Sequence, residues 1–209
     1  AEAAYDAALA LAEAEEPSRV AQLRTSLGIA LNLLSRGQEA GWLFTTAASD
    51  ERAPVAARMR ATTACARHAV RHGRAPEAIA LCRAVLDAPG ALPLHRGEAL
   101  GLLGLIGATV PGQPVDEGLA YLDEAQVLAQ QTGDRLAALN AAMLAGNALF
   151  ALGRLARARA AFERHALLGQ ELGLPDEAAC ATLNLAQVAF AQGRLHEAWD
   201  RARAGAAAA

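Results

Sequence analysis

The chain contains no lysine: all 19 of its basic residues are arginine. Aromatic residues are only 4% of it, and 209 residues include just three cysteines. Each shortage excludes something. Three thiols at irregular spacing do not make a disulfide framework. No run reaches the roughly 18 apolar residues a membrane-crossing helix needs. The opening residues, AEAAYDAALALAEAEEP, carry acids throughout and no basic start, so they do not read as a signal peptide. With a formal charge of −3, no global basic field draws the chain to nucleic acid. These absences lead to the expectation of a soluble protein in a reducing, cytoplasmic setting, with no membrane and no direct nucleic-acid binding by this segment. The exclusive use of Arg, alongside abundant Ala, Leu and Gly, reads as coding bias rather than chemistry. The first residue is not Met, which suggests a segment of a longer protein.

Catalytic signatures are equally scarce. Ser is sparse, and no Ser, Cys or carboxylate stands in a recognisable nucleophile or acid–base motif. No glycine-rich phosphate loop follows a strand. The expectation is a non-enzyme without cofactor.

A hydrophobic share of 54% is enough for a sizeable core. Pro17, Pro54, Pro76, Pro93, Pro114 and Pro175 each precede a long run rich in Ala and Leu. Proline is tolerated in a first helical turn, where its missing N–H had no partner anyway. The alternating β-branched segments that strands need are almost absent, so the chain reads as all helix.

Two series of small residues set the register. Ala40, Ala78, Gly118, Ala158 and Ala198 are spaced 38, 40, 40 and 40 apart, and most follow an acid, as in Glu39, Glu77, Glu117 and Glu197. Gly28, Ala66, Gly104, Gly146 and Ala186 lie 12 to 14 residues upstream of them. Between the series come turn-like stretches: SRGQ, HGRAP, PGQP, LGRL and QGRL. The unit is helix, short turn, helix. Small residues at both positions let the two helices cross closely, and Phe44, Leu122 and Phe162, four places after Ala40, Gly118 and Ala158, are expected to fill space toward the neighbouring hairpin. One hairpin leaves an apolar face open, and the next one covers it.

The phrases LGIALNLLSRGQEAGWLF from Leu27 and AGNALFALGRLARARAAF from Ala145 resemble the tetratricopeptide repeat, with Ser35 where that family has a turn glycine. The period, near 40, exceeds the family's usual 34 or so, and its late proline is missing. The resemblance implies an all-α, right-handed α-solenoid forming a single domain: residues 1–16 as the second helix of an earlier repeat, then hairpins at 17–49, 50–89, 91–131, 134–172 and 175–205. The ending RARAGAAAA brings no polar capping helix, and Trp199 is expected to be partly exposed. Stretches such as QQTGDRLAALNAAMLAGNALFALGRL are also similar to the C-terminal arrays of large ATP-binding LuxR-type transcription activators. No P-loop and no helix-turn-helix is present here.

Tetratricopeptide arrays bind peptides on the concave surface lined by first helices. Transferring that phase marks Gln22, Thr25 and Asn32, then Arg60, Thr63, Arg67 and Arg71, then Glu98, then Asn140, Met143, Asn147 and Phe150, and finally Asn184, Gln187 and Phe190. An amide at Asn147 can pair with both donor and acceptor of a peptide backbone. It resembles part of the carboxylate clamp of chaperone-binding repeats, although Met143 stands where that clamp has its first Lys. Arg60, Arg67 and Arg71 share one helical face, suited to an acidic peptide or a phosphoryl group, or simply to solvent. Cys65, His68 and His72, with Cys82, form a possible metal stripe; yet Cys65 falls at a buried repeat position where thiols pack, and no metal is assigned. The expected role is a non-catalytic protein- or peptide-binding scaffold, its partner a peptide, a protein or a small effector. The alternative is the effector-sensing arm of a multidomain transcriptional regulator.

Overall fold

The computed structural model describes Ala7 and residues 17–208, so the leading helix expected over residues 1–16 lies, but for Ala7, outside the described residues. Among the described residues there are ten helices and no strand: α1 (Pro17–Leu33), α2 (Gly37–Ser49), α3 (Val55–Arg71), α4 (Ala75–Asp87), α5 (Pro93–Thr109), α6 (Val115–Thr132), α7 (Arg135–Ala151), α8 (Leu155–Glu171), α9 (Pro175–Ala191) and α10 (Leu195–Ala208). The prolines mark helix starts. Pro17, Pro93 and Pro175 open their helices, Pro76 sits in the first turn of α4, and Pro54 and Pro114 immediately precede α3 and α6.

The chain forms two compact units, residues 1–99 and 100–209, whose boundary falls within α5. In the first, α1 packs on α2 and α3, α2 on α3, and α3 on α4. In the second, each helix from α6 to α9 packs on the one that follows. The architecture within each unit is a stack of helical hairpins.

A recurring turn makes the hairpins. In the three-residue connections after α1, α3, α7 and α9, the backbone N–H of the last residue returns to a carbonyl five residues back: Arg36 to Leu31 (2.9 Å), Arg74 to Ala69 (2.9 Å), Arg154 to Leu149 (2.8 Å) and Arg194 to Ala189 (2.9 Å). This bond requires a left-handed residue in between. Gly73, Gly153 and Gly193 supply it, with φ of 69°, 69° and 76°, and Ser35 supplies it at 61° without being glycine. The arginine after the turn then pairs with the acid three residues on: Arg36 with Glu39 (2.5 Å), Arg74 with Glu77 (2.7 Å) and Arg194 with Glu197 (2.5 Å). The recurring acid therefore ties the turn arginine to the first turn of the following helix. These exposed pairs act as local fasteners.

Large residues of the second helix sit over glycines of the first. A Cβ on Gly28 would lie 2.5 Å from the Phe44 ring, one on Gly104 2.5 Å from Leu122, and one on Gly146 2.4 Å from the Phe162 ring. Phe44, Leu122 and Phe162 thus each fill the space left by a glycine in their own hairpin, a contact the expectation of filling toward the next hairpin did not include. Phe44 and Phe162 reach the next hairpin as well: Phe44 shares a cluster with Cys65, and Phe162 with Leu185 and Val188.

Candidate functional site

Two surfaces stand out, one in each unit. In the second unit, α7 is buried on nearly every side: Ala137, Leu139, Ala141, Ala142, Leu144, Ala145, Gly146, Ala148 and Leu149 are all in the core. What remains accessible between its ends is a narrow strip that includes Asn140, Met143, Asn147 and Phe150, each half-buried. The helix starts sharply, because the Asp134 carboxylate accepts the Ala137 N–H at 2.9 Å. On α9, Asn184 is half-buried, Gln187 is exposed, and Phe190 is 68% exposed despite its size. Phe150 and Gln187 thus have unequal neighbours: Phe150 rests its ring against the cluster of Leu149, Ala158, Phe162, Leu185 and Val188, whereas Gln187 is open. The Asn184 amide approaches only the Cys180 sulfur, at 4.0 Å. The accessible faces of these two helices offer amides flanked by aromatic rings.

In the first unit the expected surface is less uniform. Gln22 is exposed and Asn32 half-buried. Thr25 and Thr63, expected to face a partner, are core residues with 0% and 1% exposure. Each satisfies its hydroxyl on its own helix: Thr25 donates to the Ala21 carbonyl at 2.7 Å and Thr63 to that of Arg60 at 2.8 Å. Of the three arginines on α3, Arg60 and Arg71 are exposed, while Arg67 donates to the Glu98 carboxylate at 2.5 Å. Arg67 and Glu98, marked separately as groove residues, are therefore partners of each other.

A cleft of about 440 Å³ opens elsewhere in the same unit. One wall is a single face of α2, with Gly37, Gln38, Gly41 and Thr45. The floor is the end of α3, with Cys65, His68 and His72, and Arg74 and Glu77 close it at the start of α4. The two glycines leave that wall bare, and both imidazoles turn into the bareness. A Cβ on Gly41 would stand 3.0 Å from Nε2 of His68, and one on Gly37 3.3 Å from Nε2 of His72. The two rings lie 4.3 Å apart between centroids, and His68 also meets the Phe44 ring edge-on at 6.0 Å. His68 is 7% exposed, and its Nδ1 is buried without a hydrogen-bond partner. Burial, then the nearby His72 and Arg74, holds its pKa below the ordinary value of 6.5.

The stripe of Cys65, His68 and His72 does line one surface, but among the described residues no group of three or more His, Cys, Asp or Glu side chains is arranged to hold a metal ion. Burial pushes the Cys65 thiol up, and that of Cys82 to about 12. Sequence reasoning missed the other wall of this cleft. Its signal was there: Gly37 and Gly41 are four residues apart on one helix, and His68 and His72 four apart at the end of another. Trp199 is 66% exposed, and no described helix is long and apolar enough to cross a membrane.

No family model matches the chain. No curated protein matches it either. Among solved structures, the chain is similar to the crystal structure of BtubC (BKLC) from P. vanneervenii, with a TM-score of 0.60 and 13% identity over 99% of this chain and 89% of that one. At that identity the likeness is one of fold: BtubC and this chain share a helical architecture.

Proposed function

We propose that this protein is a non-catalytic, tetratricopeptide-like binding module that holds a peptide, or a peptide-like segment of a protein, along the first helices of its hairpins. The observation that carries the reading is the accessible strip of α7 and α9, where Asn140, Met143, Asn147 and Phe150 are joined by Asn184, Gln187 and the exposed Phe190. Side-chain amides, which both donate and accept, suit an extended backbone, and an aromatic ring held largely in water is the usual anchor of an interface. In the first unit taken by itself, Asn32, Arg60 and Arg71 are the accessible candidates, and Arg67 is paired with Glu98. Three free thiols, Cys65, Cys82 and Cys180, fit a reducing, cytoplasmic setting.

The test is selection of peptides from a random displayed library, followed by titration of the best binder against the wild type and Asn147→Ala. Weakened binding with an unchanged circular dichroism spectrum supports the reading. Selected peptides that bind both proteins equally remove Asn147 from the site.

A second reading makes the module the effector-sensing arm of a large bacterial transcriptional regulator. It is motivated by the sequence resemblance to the helical arrays of such regulators. An immunoblot of source-cell extract distinguishes the two, since a band near 21.6 kDa contradicts the second and a band several times larger favours it.

A further inference from the structure

The cleft between α2, α3 and the start of α4 belongs to the first unit, apart from the strip on which the proposed function rests. It gathers two imidazoles, a guanidinium and two bare glycines around one opening. Two glycines bare one wall, although Cys65 and the Phe44–His68 contact show that the surrounding helices pack normally. His68 is more than nine-tenths buried, and its Nδ1, like that of the buried His95 and His165, has no hydrogen-bond partner, so what sets His68 apart is that its Nε2 lines the cleft. Because Nδ1 is shielded, the neutral ring places its proton where an N–H can find an acceptor, on Nε2, the atom turned toward Gly41. His72 turns the equivalent atom toward Gly37.

The charges around these rings favour an anion. His72, Arg71 and Arg74 face His68 as positive or potentially positive groups, and Glu77 is the opposing carboxylate. Glu77 is already held by Arg74 at 2.7 Å. The Cys65 thiol stays protonated at neutral pH, since burial raises its pKa. The α2 wall brings only Gly37, Gln38, Gly41 and Thr45, none of them charged. A volume of about 440 Å³ lies within the span of small-molecule sites, roughly 300–1,000 Å³.

We infer that this cleft binds the oxyanion end, carboxylate or phosphate, of a small molecule, held by the Nε2–H groups of His68 and His72 and by the Arg74 guanidinium. Such an anion accepts from the Nε2–H of His68 and, as a negative charge beside the ring, favours the protonated imidazole. Binding is therefore linked to proton uptake by His68, and affinity rises as the pH falls. Gly37 and Gly41 are required because any side chain there occupies the space beside the two Nε2 atoms.

The experiment is a titration of the full chain with succinate and, separately, inorganic phosphate at constant ionic strength, read from the imidazole ¹⁵N resonances. His68→Gln and His72→Gln spectra assign them. The inference expects the His68 and His72 signals to move together. It also expects binding about tenfold weaker in His72→Gln, an exposed substitution that leaves the fold intact, and lost in Gly41→Ala. A response to succinate alone identifies a carboxylate ligand, and one to phosphate alone a phosphate ester. The inference is overturned if neither anion moves these resonances, if His72→Gln and Gly41→Ala bind as well as wild type, or if only an acidic peptide binds.

Discussion

The ring of Phe162 lies against Gly146 so closely that a single methyl group on that glycine would come within 2.4 Å of it. The same fit recurs at Gly28 with Phe44 and at Gly104 with Leu122. In the hairpins where the first helix carries Ala66 or Ala186, the residue at the matching place on the second helix is the smaller Cys82 or Ala202. The volume of one helix is thus written as the complement of the other.

Gly146→Ala is therefore expected to destabilise the protein by about 1–3 kcal/mol through overpacking. Phe162→Ala is expected to cost about 3–5 kcal/mol through the cavity it leaves. Combining Gly146→Ala with Phe162→Cys reproduces the Ala66 and Cys82 pairing, and the two changes should couple favourably by about 1 kcal/mol or more. Urea denaturation midpoints of the single and double variants measure this; strict additivity contradicts the complementarity.

Ser35 occupies a left-handed position that glycine fills in the matching turns. Ser35→Gly relieves the contact between Cβ and backbone and should stabilise the fold by about 0.5–1 kcal/mol, while Gly153→Ala should destabilise it by a similar amount. Thermal melts of both variants decide it, and a lower melting temperature for Ser35→Gly would refute the turn assignment.

How much of this was readable in advance differs from feature to feature. The prolines, the two series of small residues and the turn motifs are local signals, and the helix starts fall where they point. Thr25 and Thr63 show where reading by register stops. Their positions match a binding surface, but each hydroxyl bonds a carbonyl of its own helix, and a threonine satisfied in that way can be buried at little cost. For Phe44 and Phe162 the contact with the next hairpin was legible, but the glycine each covers in its own hairpin was not, because a one-dimensional pattern does not show both neighbours of a large ring. The cleft needed three helices at once. Only its histidines were visible as a stripe, and the glycines opposite them carry no chemistry until the helices are brought together.

The thiols should separate by environment. Cys180 is exposed, whereas Cys65 and Cys82 are buried and the Cys82 thiol is pushed up to about 12. Burial and Glu177 also raise the Cys180 pKa, so Cys180 is expected to react slowly but first with a thiol reagent in the native protein, and Cys82 only on unfolding. Mass-spectrometric mapping of the first modified site checks this; prior labelling of Cys82 contradicts it.

Stability should fall with pH in two windows. His68 has a folded-state pKa below its ordinary 6.5, so the unfolded chain binds its proton more readily; the contribution is full above 6.5 and is lost as the pH drops through that value. Glu39, lowered by its hydrogen bond from Arg36, and Glu197, lowered chiefly by Arg201, act later, losing their contribution as the pH falls below 4.5. In melts from pH 8 to 5.5, His68→Gln should flatten the decline near 6.5. An unchanged slope would show that His68 does not set it.

The central claim is that the accessible strip of α7 and α9 is where a partner lies. The most direct measurement is amide and methyl chemical-shift mapping with a library-selected peptide, using the wild type and Phe190→Ala. The account predicts perturbations centred on Asn140, Met143, Asn147, Phe150, Asn184, Gln187 and Phe190, and affinity reduced about tenfold or more by losing the exposed ring. Perturbations confined to other faces, with affinity untouched by Phe190→Ala, would contradict it.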